Sequence, residues 1–290
     1  MLNNAHSSSP KNWLNAPLAI VGMACRLPGA DGLEAFWQLL HQGGYPIEPM
    51  SESKLDRERY FHPEKGRRGK TYADIGGFVS ERELDWSLLN LTPEEAQQWD
   101  ECHLNFCEVA ARACQHAGYD PRNLSNRKVG VYVGHSGGST VGGELAYRTL
   151  VEDYLKLLDD LPEWQAEGDQ DAKQRLKQLL TVDRPQRAAG RPWVEAGFSA
   201  SLVSQTLGLT GPHMAIDAAC ASSLVALAMG AMSIHSGQTD MAIIGGASFN
   251  KTDSLILFSH AQSCSSSMSR PFDERADGRL ELGDVFLLDR

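Results

Sequence analysis

The sequence predicts an α/β fold. Two observations carry that reading. Short runs of alternating apolar residues recur along the chain, and segments with helical periodicity follow them. Met214, Ile216 and Ala218 alternate with His213, Ala215 and Asp217, and an apolar helix is expected from Ser222 to Ser236, stopped by Gly237. Leu18 to Val21 reads as an earlier strand, and Leu33 to His41 as its helix, closed by Gly43 and Gly44. A third observation sets the scale: 42% of the 290 residues are hydrophobic, enough for a substantial core in one large domain or two smaller ones.

Met1 to Asn15 is rich in Asn and Ser and reads as a loose amino-terminal tail, with the folded domain expected over residues 16–290. Met50 to Ile75 is polar and carries Arg57, Arg59, Lys65, Arg67, Arg68 and Lys70. It reads as a surface excursion whose charges face solvent. Thr92-Pro93-Glu94-Glu95 is a strong helix start, with Thr92 as N-cap, Pro93 in the first turn and Glu95 completing a capping box. That helix is predicted to run to Ala117 and stop at Gly118. Val129 to Gly134 is a strand. The Gly134-His135-Ser136-Gly137-Gly138-Ser139 run after it lacks both the Lys-Ser/Thr ending and the glycine spacing of nucleotide loops, so it reads as a flexible turn. Residues 145–190 form a helical insertion, broken near Pro162 and Gly168. Within it Leu155, Leu158, Leu161, Leu176, Leu179 and Leu180 are expected to pack on the body, with partner docking as the alternative.

A net charge of −10 argues against nucleic acid and against anionic membrane surfaces as partners. No run is long and apolar enough to span a bilayer, and Ala16 to Ala24 lacks the basic flank of a signal peptide. A cytoplasmic protein is expected. The six cysteines form no CxxC pair and fit a reduced compartment. Cys107 and Cys114 share a helix face, with His103 and His116 nearby; a metal site is conceivable there, but small buried core residues are the favoured reading.

The segment Asp217-Ala218-Ala219-Cys220-Ala221-Ser222-Ser223 stands where strand changes to helix. Cys220 is expected at or just before the amino end of a buried helix, where unpaired N–H groups and the helix dipole favour a thiolate. Small neighbours leave room for a substrate to reach the sulfur. This is the layout of a covalent nucleophile. On spacing alone, a small core hydrophobe explains the cysteine equally well. Asp217 is expected to anchor the turn by accepting backbone hydrogen bonds, and Ser222 and Ser223 to cap the helix.

The Cys220 segment resembles the active-site motif of β-ketoacyl synthases, the condensing domains of polyketide, fatty-acid and polyunsaturated-fatty-acid synthases. Further blocks resemble the family in the same order: Pro17-Leu18-Ala19-Ile20-Val21-Gly22, Phe36-Trp37-Gln38-Leu39-Leu40, Gly76-Gly77-Phe78, Val129 to Gly134, Leu209-Thr210-Gly211-Pro212, Asp240 to Ala247, and Ser269-Arg270-Pro271-Phe272-Asp273 through Gly278. The matches run from about Pro17 to Gly278.

The resemblance implies a thiolase-like architecture of two related α/β halves, of which this chain is the first, with a helical insertion. It implies that Cys220 takes an acyl group from a thioester held on the phosphopantetheine arm of an acyl carrier protein, for decarboxylative condensation. No cofactor is implied to bind the protein directly. The family's second half supplies two His, a Lys and a glycine-rich gating loop; none of the nine histidines here matches either catalytic His motif. After Gly278 the run Arg279-Leu280-Glu281-Leu282-Gly283-Asp284 departs from the family's glycine-rich pattern, and the chain reads as truncated after Arg290. The partners implied are an acyl carrier protein, a chain or domain supplying the His-bearing half, and further copies of the chain. The apolar helix after Cys220 and the Leu202-Val203 region line an acyl tunnel or pack in the core. A non-catalytic partner, half of a split synthase and a gene remnant are the alternatives to an active enzyme.

Overall fold

The computed structural model describes residues 17–80, 82–97, 99–124, 127–136, 150–151, 153–160, 195–248, 252–278 and 286–289, together with residues 171, 174–176 and 178. The described strands are β1 (Met23–Leu27), β2 (Ala30–Asp31), β3 (Glu48–Pro49), β4 (Ile75–Gly76), β5 (Val129–Gly134), β6 (His213–Ile216), β7 (Met241–Gly246) and β8 (Phe286–Asp289). The helices are α1 (Leu33–His41), α2 (Arg57–Tyr60), α3 (Trp86–Leu89), α4 (Pro93–Ala96), α5 (Glu101–His116), α6 (Gly197–Thr206), α7 (Ser222–His235) and α8 (Thr252–His260). Six strands form one sheet in the order β2-β1-β8-β7-β5-β6, and β3 and β4 form a separate two-stranded sheet.

Strand β5 runs parallel to both β6 and β7, whereas β8 is antiparallel to β7 and to β1. The period of two sorts the central strands by face. Val129, Val131 and Val133 of β5 join Met241 and Ile243 of β7 in the core beneath α5 and α6. Tyr132, Ala242 and Ile244 point the other way and pack with Ala226 of α7. Central strands buried on both faces are what helices on each side of a parallel sheet require.

The α5 side is dense. Phe106, Cys107, Val109, Ala110 and Ala113 are all buried there. Cys107 and Cys114 therefore sit in the hydrophobic core, in line with the favoured reading. Glu108, with no exposed surface, lies on the same helix and is paired with Arg82 at 3.0 Å and Arg112 at 2.9 Å. Arg82 also pairs with Asp31 on β2, which ties the β1–β2 edge of the main sheet to α5.

Three expectations need correction. The first strand is Met23–Leu27, not Leu18–Val21. Its ladder with β8 begins at Met23↔Leu288, and residues 18–21 take no strand position. The single helix expected from Thr92 to Ala117 is two: the capping box of Thr92 and Glu95 forms on α4, and Asp100 then caps α5 by accepting from the Cys102 N–H at 3.0 Å. A side-chain acceptor at Asp100 competes with continuation of the helix and resets its axis. The polar excursion is also not merely solvated. Met50, Leu55, Tyr72 and Ala73 form a small core with Leu255 and Cys264, and Arg57 pairs with Glu52 and Asp74.

Other expectations fall partly or wholly outside the described residues. The tail lies outside, as does most of the insertion. Residues 150–151 and 153–159 are helical; Leu155 is buried and Leu158 half-buried. Leu161, Leu179 and Leu180 lie outside.

Candidate functional site

The carboxyl ends of β5, β6 and β7 meet the start of α7. Ligands and reacting groups in open parallel sheets collect at this edge because the chain turns there from strand to helix. Gly134 ends β5 where a Cβ would lie 2.3 Å from the Ser223 nitrogen, and Gly246 ends β7 where one would lie 3.3 Å from the Ser223 Cβ. Residues without side chains at these ends let α7 descend directly onto the sheet. Farther along, Gly230 does the same over Ile244 and Tyr132, where a Cβ would approach to 2.6 Å and 3.3 Å.

Cys220 occupies the middle of a 3₁₀ turn, Ala219–Ala221, between β6 and α7, and it is exposed. Ala219 takes a φ of 50°, a left-handed conformation that costs a residue with a Cβ and persists only under local constraint. The constraints are visible. The Asp217 carboxylate accepts from the Ala219 N–H at 3.0 Å. The Ser222 hydroxyl accepts from the Ala218 N–H at 2.9 Å and donates to the Ala219 carbonyl at 2.6 Å. Asp217 thus anchors the turn as expected. Ser222 does not cap α7: it staples the turn, and the N-cap position, Ala221, makes no side-chain cap bond.

The helix itself departs from expectation. A segment apolar on every side predicts a buried helix, yet only Ser222, Ala226, Gly230 and Ser233 of α7 are buried. These small residues form the stripe against the sheet. Leu224 is 70% exposed and Met232 55% exposed, because the large side chains project from the opposite side. Together with Leu33, Phe36, Trp37 and Leu40 of α1, Leu224 and Leu227 line an apolar groove of about 600 Å³ above Ile244. Ser223, three residues after Cys220, stands on its wall. Leu202 and Val203 belong instead to the core between α6 and α5.

His135 was missed by sequence reasoning, which made its segment a flexible turn. It follows β5 directly and is only 2% exposed. Its backbone N–H donates to the Ile216 carbonyl at 3.0 Å, immediately before Asp217. Its ring meets His103 of α5 edge-on at 5.7 Å, and its Nε2 lies 4.0 Å from the Cys102 sulfur, which donates to the Ser248 carbonyl. Burial holds the imidazole below the ordinary histidine pKa, against the opposing pull of Asp100 and Asp217. The only sequence signal for it was its place at the carboxyl end of a central strand. The Cys107 thiol, sealed in the core, is pushed up to about 12 by burial. Among the described residues, no group of His, Cys, Asp and Glu is arranged to hold a metal ion, and no helix is long and apolar enough to cross a membrane.

Residues 15–281 match the family model described as the amino-terminal domain of β-ketoacyl synthase. The chain is similar to a phenolphthiocerol/phthiocerol polyketide synthase of Mycobacterium tuberculosis, 30% identical over 266 residues, which covers 90% of this chain and 13% of that protein. It is 33% identical over 270 residues to mycoketide-CoA synthase of the same species, covering 90% of this chain and 6% of the relative. The chain therefore spans a small fraction of the length of these relatives. Among solved structures it resembles an oxazolomycin ketosynthase domain from Streptomyces albus, with a TM-score of 0.71 and 24% identity over 93% of this chain and 41% of that one. A ketosynthase from module 6 of the bacillaene synthase of Bacillus subtilis gives a TM-score of 0.67 at 24% identity, covering 93% of this chain and 39% of that one. The fold is accordingly that of ketosynthases: α/β and thiolase-like.

Proposed function

Because the chain belongs to the β-ketoacyl synthase family, we propose that it is the nucleophile-bearing half of a ketosynthase of polyketide or fatty-acid type, with Cys220 as its acyl acceptor. One observation carries this reading: Cys220 is exposed on a constrained turn at the carboxyl ends of the parallel strands β5, β6 and β7, directly before α7. A buried structural cysteine needs none of these features. The substrate is an acyl thioester on the phosphopantetheine arm of an acyl carrier protein, and the compartment is the cytoplasm. The Cys220 thiolate attacks the thioester carbonyl and the new carbon–sulfur bond forms; the tetrahedral intermediate collapses with cleavage of the old carbon–sulfur bond, and the phosphopantetheine sulfur leaves as a thiolate that takes a proton from water. The Cys220 backbone N–H is a donor to the developing oxyanion.

Carbon–carbon bond formation is a separate demand. It requires groups that stabilise the enolate of a malonyl extender, and no histidine of this chain stands in a motif suited to that role. The chain acting alone is therefore an acyl acceptor without condensing turnover. A second chain or domain bringing the His-bearing half would complete it, and the apolar groove between α1 and α7 favours such an assembly.

The test is acyl transfer from a small thioester. The purified chain, incubated with an acyl pantetheine thioester, is expected to gain one acyl group on the peptide carrying Cys220. Cys220→Ala should abolish the label. Labelling spread over other residues, or unchanged in Cys220→Ala, counts against the proposal.

A further inference from the structure

We propose that the basic tip formed by residues 59–70 is the docking surface for the acyl carrier protein that delivers the thioester. This rests on the reading of Cys220 as the acyl acceptor. The segment carries Arg59, Lys65, Arg67, Arg68 and Lys70 against one carboxylate, Glu64, in a chain whose net charge is −10. Arg59, Lys65, Arg67 and Arg68 are exposed. Arg67 lies 3.8 Å from Glu64. Among the described residues, Arg59, Lys65, Arg68 and Lys70 make no ion pair.

Charges that only dissolve in water need no fixed shape, and these have one. Gly66 and Gly69 take left-handed φ values of 79° and 71°, which turn the tip back on itself. The Gly69 N–H donates to Nε2 of His260, at the end of α8, at 2.9 Å. Behind the tip, the Thr71 and Ser259 hydroxyls bond at 2.8 Å, and the Tyr72 hydroxyl donates to the Cys264 carbonyl at 2.8 Å. The Lys65 ammonium sits over the Tyr72 ring, 5.0 Å from its centroid. A partner therefore meets a preformed array of cations and has little loop to order. Helix α8 connects that array with the site. It begins six residues after β7 ends at Gly246, where a Cβ would lie 3.3 Å from the Cβ of Ser223. Chain connectivity alone keeps His260 within roughly 35 Å of the end of β7. The matching partner chemistry is anionic: the phosphodiester that joins the pantetheine arm to the carrier, flanked by carboxylates of the carrier surface. The acidic remainder of the chain repels such a surface, while the tip attracts it. Opposite charges of this kind steer the encounter and fix its orientation.

The experiment measures binding of a dye-labelled acyl carrier protein bearing phosphopantetheine, by fluorescence anisotropy, at about 20 mM and about 300 mM salt. It requires no acyl transfer, so failure of Cys220 as acceptor and failure of this inference are separate results. The unaltered chain is expected to bind about tenfold more tightly at the lower salt. Arg67→Gln combined with Arg68→Gln is expected to raise the low-salt Kd about fivefold or more and to flatten the salt dependence. Arg67→Lys combined with Arg68→Lys keeps the charge and should recover most of the affinity. Removing two charges elsewhere, with Arg122→Gln and Lys128→Gln, is expected to change Kd by less than about twofold. An unchanged thermal unfolding midpoint shows that each variant is folded. Equal losses from the two Gln pairs, or no carrier binding at low salt, overturn the proposal. Tighter binding of duplex DNA than of the carrier overturns it as well, because the tip would then serve nucleic acid.

Discussion

The two faces of the central sheet carry helices of similar length and unequal cover. On one side α5 packs its apolar residues, and even Glu108 and His103, into a closed core with α6 and the valines of β5. On the other side α7 lays a stripe of small residues on the sheet and turns Leu224 and Met232 outward. The sequence pattern runs against this outcome, since α7 is the more uniformly apolar of the two. The difference teaches that side-chain size, not hydrophobicity alone, decides which stripe of a helix meets a sheet. Ala226 and Gly230 allow the backbone to approach Tyr132 and Ile244 in a way that leucines on that stripe would prevent. It also separates two tasks. The α5 side holds the fold together, while the α7 side presents Cys220 and the apolar groove.

The largest expected effect comes from comparing thiols across the sheet. Iodoacetamide near neutral pH should label Cys220 at least about 100-fold faster than Cys107 or Cys114, because buried cysteines are inert and the Cys107 thiol is pushed up to about 12. Raising the pH toward that value should accelerate Cys107 only once the fold opens. Equal labelling of Cys107 and Cys220 in the folded protein would remove the distinction between core and site.

Stability should divide the same way. Phe106→Ala, in the closed core, is expected to cost about 3–5 kcal/mol in urea unfolding. Leu224→Ala, on the outward stripe, is expected to stay within about 0.5 kcal/mol. Comparable losses at the two positions would mean that the α7 face is covered after all.

A smaller effect concerns association. The groove between α1 and α7, with Trp37 63% exposed at its rim, is an apolar patch of the kind that drives self-association. Light scattering of the chain alone is expected to report oligomers, and Leu224→Glu combined with Met232→Glu to lower the apparent mass. A monodisperse monomer from the unaltered chain would argue that the face is satisfied without a partner.

Much of the site was legible in the sequence, because it is built from local chemistry. The alternation of Met214 and Ile216, the small residues around Cys220 and the periodic helix after it specify strand, turn and helix within a short stretch, and Asp217 is the residue type that turns use as an anchor. The ordered family motifs supplied the architecture that periodicity alone leaves open. What escaped depends on residues distant in the chain. Leu18 to Val21 has every local property of a strand, but a strand also needs a paired neighbour, and the ladder with β8 takes up Met23 to Cys25 instead. Ser222 looks like a cap, yet the left-handed Ala219 diverts its hydroxyl to the turn. His135 carries no periodic signal, and its place is set by the meeting of β5, β6 and α5.

The most direct test of the central claim separates acylation from condensation. Acylation needs a thiolate, a placed thioester and an oxyanion donor, and this chain has candidates for each. Condensation also needs acid–base and electrostatic groups, commonly worth roughly 100-fold or more in rate apiece. The purified chain should be offered an acyl-carrier thioester together with a malonyl-carrier thioester, and both the protein and the products followed by mass spectrometry. The account predicts slow acyl labelling that Cys220→Ala abolishes, with no β-ketoacyl product. β-Ketoacyl product formed by this chain alone would contradict it, because the groups for condensation would then lie within these 290 residues.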